Sequence, residues 1–498
     1  MRLLMTTFLI FCLCVAATGQ QSNALLDRDF WRTSPDVETL KVKIAEGHDP
    51  LEMTRYAFDP TSYALLEKAP FETVKYLLEL QDDAATKLTH DGRSYMMWAA
   101  YAGQKEITKY LIDSGSDINL VDDHGYAVIP FCATTGMKDQ KIYDLLIEHG
   151  AHVEATNRKG ANALLLIAKH LEDNFSMIDY FQSKGLALTS TDTDGNGLFN
   201  YAAVLGNIPL MKKAIEWGLP YQEPNQVGGN AMIFASRGYR GTVNGTEVYE
   251  FLANHGIAAN VVTESGQTPL HNIAFRVKDM DVYTFFTERG VDINQSDGEG
   301  NTMLLNVIRG RNEAIALNYL SQVADLNHKN KKGYSALTYA VRSRSPRVVA
   351  ALLEAGAAHD IIDKDGNTLA GHLFQSYSER NREPFEEVLA LLTAYDVPMN
   401  ISQSRGDNLL HMAVDKQSTY LIGLALDQGI DINAKNDDGL APLHYAAMKA
   451  KDASLLNTLV QKGADTRVKT DFEESVYELA AENELLRNSG FDLNSLKN

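Results

Sequence analysis

Residues 91–119 set out a hydrophobic and polar pattern that the chain then repeats. A short, small-residue apolar block comes first, Tyr95-Met96-Met97-Trp98-Ala99-Ala100. After a polar break, a second block carries apolar residues at Ile107, Tyr110 and Leu111. That i, i+3, i+4 spacing predicts an amphipathic helix, and the Ala-rich block predicts a helix that neighbours can approach closely. Gly115 then ends the pair, because glycine takes the left-handed position past a helix C-terminus without a clash. The same role is predicted for Gly150, Gly185, Gly218, Gly256, Gly290, Gly356, Gly429 and Gly463. Between each of these and the next pair runs a polar stretch such as 431–439, whose Asn, Asp and Gly content predicts a tight hairpin turn.

The turns keep time. Eleven glycines, Gly92, Gly125, Gly160, Gly195, Gly228, Gly266, Gly300, Gly333, Gly366, Gly406 and Gly439, follow one another at intervals of 33 to 40 residues, five of the intervals being 33. A fixed period of this size means stacked repeats, each burying its apolar face only against its neighbours. The expected fold is therefore an all-α repeat solenoid, one continuous array over residues 27–490 with about thirteen units. Residues 36–47 read as the second helix of an atypical first unit and 475–483 as the first helix of a truncated last one, with 491–498 a short tail.

Two segments carry a family signature, Thr268-Pro269-Leu270-His271 and Ala441-Pro442-Leu443-His444. Thr caps a helix, Pro suits its first position and Leu points inward. Together with the glycine phase, they make the chain resemble the ankyrin-repeat family. The resemblance implies a helix-turn-helix plus β-hairpin loop per unit of about 33 residues, a curved superhelix, and a protein partner held on its concave face. It also implies a structural role for His271, His411 and His444, whose imidazoles would brace adjoining hairpins. Several units depart from the signature, with Pro130, Leu165, Asn200, Ile233, Leu305, Thr338 and His372 at or near the histidine position.

Composition narrows the partner. A formal charge of −19 in 498 residues opposes nucleic acid or an anionic membrane as the main target, since phosphate binding needs concentrated Lys and Arg. Residues 1–19 read as a cleaved secretory signal: Met1-Arg2, an apolar run from 3 to 15, then small residues. The run is short of the roughly 20 apolar residues that span a bilayer. This predicts a periplasmic or secreted protein without stable membrane insertion. Cys12 and Cys14 leave with the signal, and Cys132, where other units carry Ala99, Ala202 and Ala446, reads as a core residue.

No catalytic, cofactor or metal constellation emerges. The recurring histidines lie a repeat apart, and no HExxH, CxxC or GxSxG motif occurs. Acidic pairs such as Asp122-Asp123 and Asp437-Asp438 fall at the turns. One pattern does stand out on the expected inner face. Nine or ten residues after the periodic glycine the chain places Lys169, Arg237, Arg276, Arg309, Arg342, Lys416 and Lys449, with Lys278, Arg311, Arg344 and Arg347 close by. Arg237, Arg240, Arg276, Arg309, Arg311, Arg342 and Arg344 are the candidate partner-binding residues, suited to an acidic protein surface. The plainer account of such cations is that they offset a helix C-terminus by about 0.3–1 kcal/mol each. The long intervals mark two insertions, 237–246 and 376–384, expected as loops between the helices of their units. The resulting expectation is a monomeric, non-catalytic scaffold, with a stoichiometric inhibitor or protective partner of an enzyme or toxin as the alternative. An enzyme with its site on the inserted loops is the third reading.

Overall fold

The computed structural model describes residues 22–172, 174–489 and 491–497. Residues 1–19, read from the sequence as a secretory signal and holding Cys12 and Cys14, lie outside the described residues. Among the described residues twenty-eight α-helices follow one another, most of them as the two helices of a repeat, giving an all-α repeat solenoid. Its packing divides into two compact units, the first running to Ala202 with Pro209–Leu219, the second comprising Ala203–Ile208 and everything from Pro220. Among the described residues no helix is long and apolar enough to cross a membrane.

One repeat of the second unit shows why the sequence folds this way. Ser335 and Thr338 form a reciprocal cap on the helix Ala336–Ser343, whose Leu337, Ala340 and Val341 are fully buried. Pro346 occupies the first turn of the partner helix Pro346–Glu354, where its missing N–H costs nothing. That helix buries Val348, Val349, Leu352 and Leu353, each worth about 1.5–3 kcal/mol. It ends at Gly356, φ 83°. There Gly356 N–H donates to Leu353 O at 3.0 Å and Ala357 N–H to Leu352 O at 2.9 Å, which satisfies two orphan carbonyls.

All eleven periodic glycines have φ between 70° and 87°. At Gly333 the backbone also passes so close to the following repeat that a Cβ would stand 3.0 Å from Asp363 Cα. The turns are less β-like than expected. Among the described residues only Leu88–Thr89 and Arg93–Ser94 form a strand pair. Elsewhere the finger is closed by a side chain. Asp297 Oδ1 accepts from Glu299 N at 2.9 Å and Asn301 N at 2.8 Å, while Asp297 N–H donates to Asn301 O at 2.9 Å. Consecutive fingers are stitched together, Lys331 N–H donating to Glu299 O at 2.9 Å. Asp122 belongs to this machinery: it is buried and accepts from His124 N and Tyr126 N, so it is an internal anchor and not a solvated tip.

The glycine count misses one pair, Pro60–Leu66 with Phe71–Glu79. Its turn places Ala57, φ 57°, where the eleven counted turns have glycine; Glu473, φ 64°, does the same before the last pair. The 237–246 insertion is the expected inter-helix loop, pinned by Asn244, which is buried and donates to Ala203 O, Val204 O and Ala235 O. Residues 376–384 are different. They form a 3₁₀ turn, Glu379–Asn381, and the start of a 13-residue helix, Arg382–Ala394, where the other second helices among the described residues have five to nine residues. That insertion lengthens a helix more than it makes a loop. The tail ends in a 3₁₀ turn, Leu493–Leu496, with Leu496 buried. Cys132 is fully buried, and burial pushes its thiol up to about 12.

Candidate functional site

Three first helices of the second unit, Ala231–Arg237, Pro269–Ile273 and Met303–Arg309, pack side by side. A cleft of about 390 Å³ lies against them, lined by Arg237, Arg276 and Arg309 together with Phe275, His271, Asn272, Asn301 and Asn306. Asp297 and Glu299 line it from the finger side. One wall is therefore cationic and the other anionic. Arg237, Arg276 and Arg309 are exposed, and Phe275 keeps 41% of its surface in solvent, unusual for a large aromatic ring. The Arg309 guanidinium lies 5.4 Å from the Phe275 ring centre, and that of Arg237 lies 5.1 Å from Phe234. Both stacks orient the guanidinium planes.

The cleft floor is set by histidine. His271 Nδ1 accepts from Thr268 N–H at 3.1 Å, which places the ring proton on Nε2, and Nε2–H donates to Asn301 O of the next finger at 2.9 Å. His411 and His444 repeat the arrangement, reaching Leu440 O and Val468 O, both at 2.8 Å. Burial lowers the pKa of all three, so the neutral form that these bonds require is the one favoured. They are braces, as the resemblance implied.

His372 breaks the series. It sits one position later in its helix, and Gly371 takes the brace position. Gln403 fills the gap from the next repeat, its Oε1 accepting from Thr368 N–H at 2.8 Å. A Cβ on Gly371 would stand 2.0 Å from that oxygen. His372 instead accepts from Arg342 Nη1 at 2.9 Å. Burial, with Arg342 beside it, pushes this imidazole down to about 4, against the opposing pull of Asp363.

The seven candidate arginines thus divide. Arg237, Arg276 and Arg309 meet in the cleft. Arg240 and Arg311, φ 48° and 57°, sit on the turns that follow their helices and do not line it. Arg342 is tied to His372 and lies 5.0 Å over the Tyr334 ring, and Arg344 Nη1 donates to Ser376 O. The broader cation series also breaks up. Lys169, in the first unit, is buried and donates to Thr134 Oγ1 at 3.0 Å, and Lys449 pairs with Asp415 at 2.7 Å. Offset does not separate them: Arg237, Arg309 and Arg342 all stand nine residues after their periodic glycine and seven after their N-caps Asn230, Thr302 and Ser335, whereas Arg276 stands ten after Gly266 and eight after Thr268. The ninth position after Gly266 is Phe275, a cleft residue that a search for cations passes over.

Comparison with known proteins bears on the whole chain. A family model described as ankyrin repeats (3 copies) matches residues 36–123, 61–157, 272–365 and 379–470, more than half of the sequence. An ankyrin repeat protein of Acanthamoeba polyphaga mimivirus is 23% identical over 168 residues, 32% of this chain and 21% of that one. The transient receptor potential cation channel subfamily A member 1 of Homo sapiens is 24% identical over 406 residues, 79% of this chain and 36% of the channel. The chain therefore spans a minor part of these relatives. Among solved structures, the human ASB11 ankyrin repeat domain gives a TM-score of 0.39 at 20% identity, over 47% of this chain and 99% of that domain. A predatory endopeptidase from Bdellovibrio bacteriovorus in complex with an immunity protein gives 0.34 at 26%, over 39% of this chain and 97% of the matched chain.

Proposed function

The chain belongs to the ankyrin-repeat family, whose repeats generally mediate protein–protein interaction, and on that premise we propose that it is a non-catalytic scaffold for one protein partner. The partner sits on the face made by fingers and first helices, and an acidic patch on it enters the cleft of Arg237, Arg276 and Arg309. The reading of residues 1–19 as a cleaved secretory signal supports an encounter in the periplasm or outside the cell. What supports the reading is the convergence of three exposed guanidiniums and a solvent-facing aromatic ring in one cleft of a chain whose formal charge is −19. Arginine and aromatic residues together mark the energetic centre of protein interfaces.

A photo-cross-linking residue at Phe275 tests this in the native compartment. The expected result is one dominant protein adduct, absent when the same residue replaces the exposed Leu485 of the last helix pair. Adducts equal at both positions would refute it. If the adduct is an enzyme or toxin silenced at equal stoichiometry, the scaffold is a protective partner.

A further inference from the structure

His372 has a charged group on each side of its ring. Nδ1 accepts from Arg342 Nη1 at 2.9 Å, and Nε2 lies 3.0 Å from Asp363 Oδ2. Tyr334 meets this ring edge to face with centres 5.1 Å apart and lies 5.0 Å from the Arg342 guanidinium, so the four side chains form one cluster. Asp363 is fixed within it, because its carboxylate also accepts from Asp365 N, Asn367 N and Asn367 Nδ2. The charges of the helices packed on Leu369–Ser376 are otherwise engaged or in solvent. Ala336–Ser343 carries Tyr339, bonded to Asn330, besides Arg342. Leu409–Asp415 carries His411, which braces the next finger, and Asp415, which pairs with Lys449. Arg382–Ala394 carries Arg382, paired with Glu379, Glu386, which accepts from Tyr420, and the exposed Glu383 and Glu387. Asp365, on the finger, is exposed.

A neutral imidazole has one nitrogen that accepts, and Arg342 uses it. A proton taken up at Nδ1 turns that acceptor into a donor, so the Arg342 N–H then faces another N–H and a second positive charge. The imidazolium stays beside the fixed Asp363 carboxylate, and the arginine is the group that leaves. Arg342 is half-buried and stands nine residues after its periodic glycine, as Arg309 does one repeat earlier, on first helices that pack together. Release therefore puts it on the face where Arg309 already meets solvent. We propose that His372 is an acid-operated latch: the neutral ring holds Arg342 against the following repeat, and the protonated ring frees the guanidinium to join Arg309 as a contact for an anionic surface of the partner. Burial, with Arg342 beside it, pushes the imidazole down to about 4, so the latch is shut at neutral pH. A ligand that grips the freed cation favours the protonated ring, which raises the pH of opening. The anionic partner rests on the scaffold reading above, and the latch adds its regulation.

Fluorescence anisotropy with the full chain and a labelled peptide of three sulfotyrosines, whose charge is the same at pH 7 and pH 4, tests it. Acid also neutralises carboxylates and so tightens anion binding by every chain; the latch is the excess over Arg342→Ala. Between pH 7 and pH 4 the wild type should gain about threefold more affinity than Arg342→Ala. His372→Leu, which offers no acceptor, should show that excess already at pH 7. His372→Gln, whose amide oxygen accepts but takes no proton, should show it at neither pH. Equal gains in wild type and Arg342→Ala, or binding of the peptide by neither, overturn the proposal. A crystal structure of the wild type at pH 4 gives a second reading that needs no variant: Arg342 turned away from His372 Nδ1 supports the latch, and Arg342 still bonded there overturns it. The scaffold reading is scored separately by the adduct at Phe275. A dominant adduct there with equal gains leaves the scaffold without the latch, and an excess gain with adducts equal at Phe275 and Leu485 leaves the latch without the scaffold.

Discussion

Arg309 and Arg342 close the first helices of consecutive repeats at the same offset from their caps, yet their surroundings differ. Arg309 leans back over Phe275 of the preceding repeat and faces solvent. Arg342 reaches forward to His372 of the following repeat and lies over Tyr334 of its own finger. Both offset a helix C-terminus, so the helix dipole does not separate them. What separates them is one side chain a repeat away. A cation in this solenoid is a brace where the next repeat offers an acceptor and stays solvent-facing where, as at Arg309, none is met.

The difference can be broken from the tied side first, through pH. His372 titrates at about 4 in the folded chain against 6.5 for the ordinary imidazole, so between those values the unfolded chain binds more protons. Stability contributed by the neutral ring is complete above pH 6.5 and is lost as pH falls, by up to about 3 kcal/mol near pH 4. Urea unfolding at pH 7, 5.5 and 4 should show this excess loss in the wild type and not in His372→Gln. Parallel losses in both would remove His372 from the account.

Truncating the arginines comes next. Arg342→Ala strands a buried ring nitrogen and should cost about 1–2 kcal/mol, whereas Arg309→Ala should stay within about 0.5 kcal/mol of wild type. Equal losses would mean that the two positions do not differ. Gln403→Ala, which strips the acceptor from Thr368 N–H, should cost about 1 kcal/mol. Gly371→His in that background should recover most of it by restoring the brace found at His271, His411 and His444. An unimproved unfolding midpoint would show that Gln403 is not its substitute. The smallest effect belongs to Lys449→Ala: its ion pair with Asp415 is largely solvated and should shift the midpoint by less than about 0.5 kcal/mol.

The fold was legible because its punctuation is chemical. A left-handed turn residue pressed against the next finger admits little besides glycine, so the ladder could be read from spacing alone. It failed at Ala57, where a non-glycine residue holds the same conformation and hides a helix pair. The site was half legible. Residue type marked Arg237, Arg276 and Arg309, but the side chains that tie Arg342 and Arg344, His372 and Ser376 O, belong to the following repeat. Phe275 stands at the same nine-residue offset from its glycine as Arg237 and Arg309, and was passed over because the search was for cations and not for exposed aromatic rings. Asn244 shows the same limit. It falls in an insertion expected as a loop, yet its amide is spent on three carbonyls within the repeat stack.

The most direct test is the affinity of the protein cross-linked at Phe275 for two variants, measured beside their unfolding midpoints. Arg237→Glu with Arg309→Glu should lose about a hundredfold in affinity at an unchanged midpoint, and Arg342→Ala should lower the midpoint while keeping the affinity. Undiminished binding by the doubly reversed chain would contradict the assignment of the cleft.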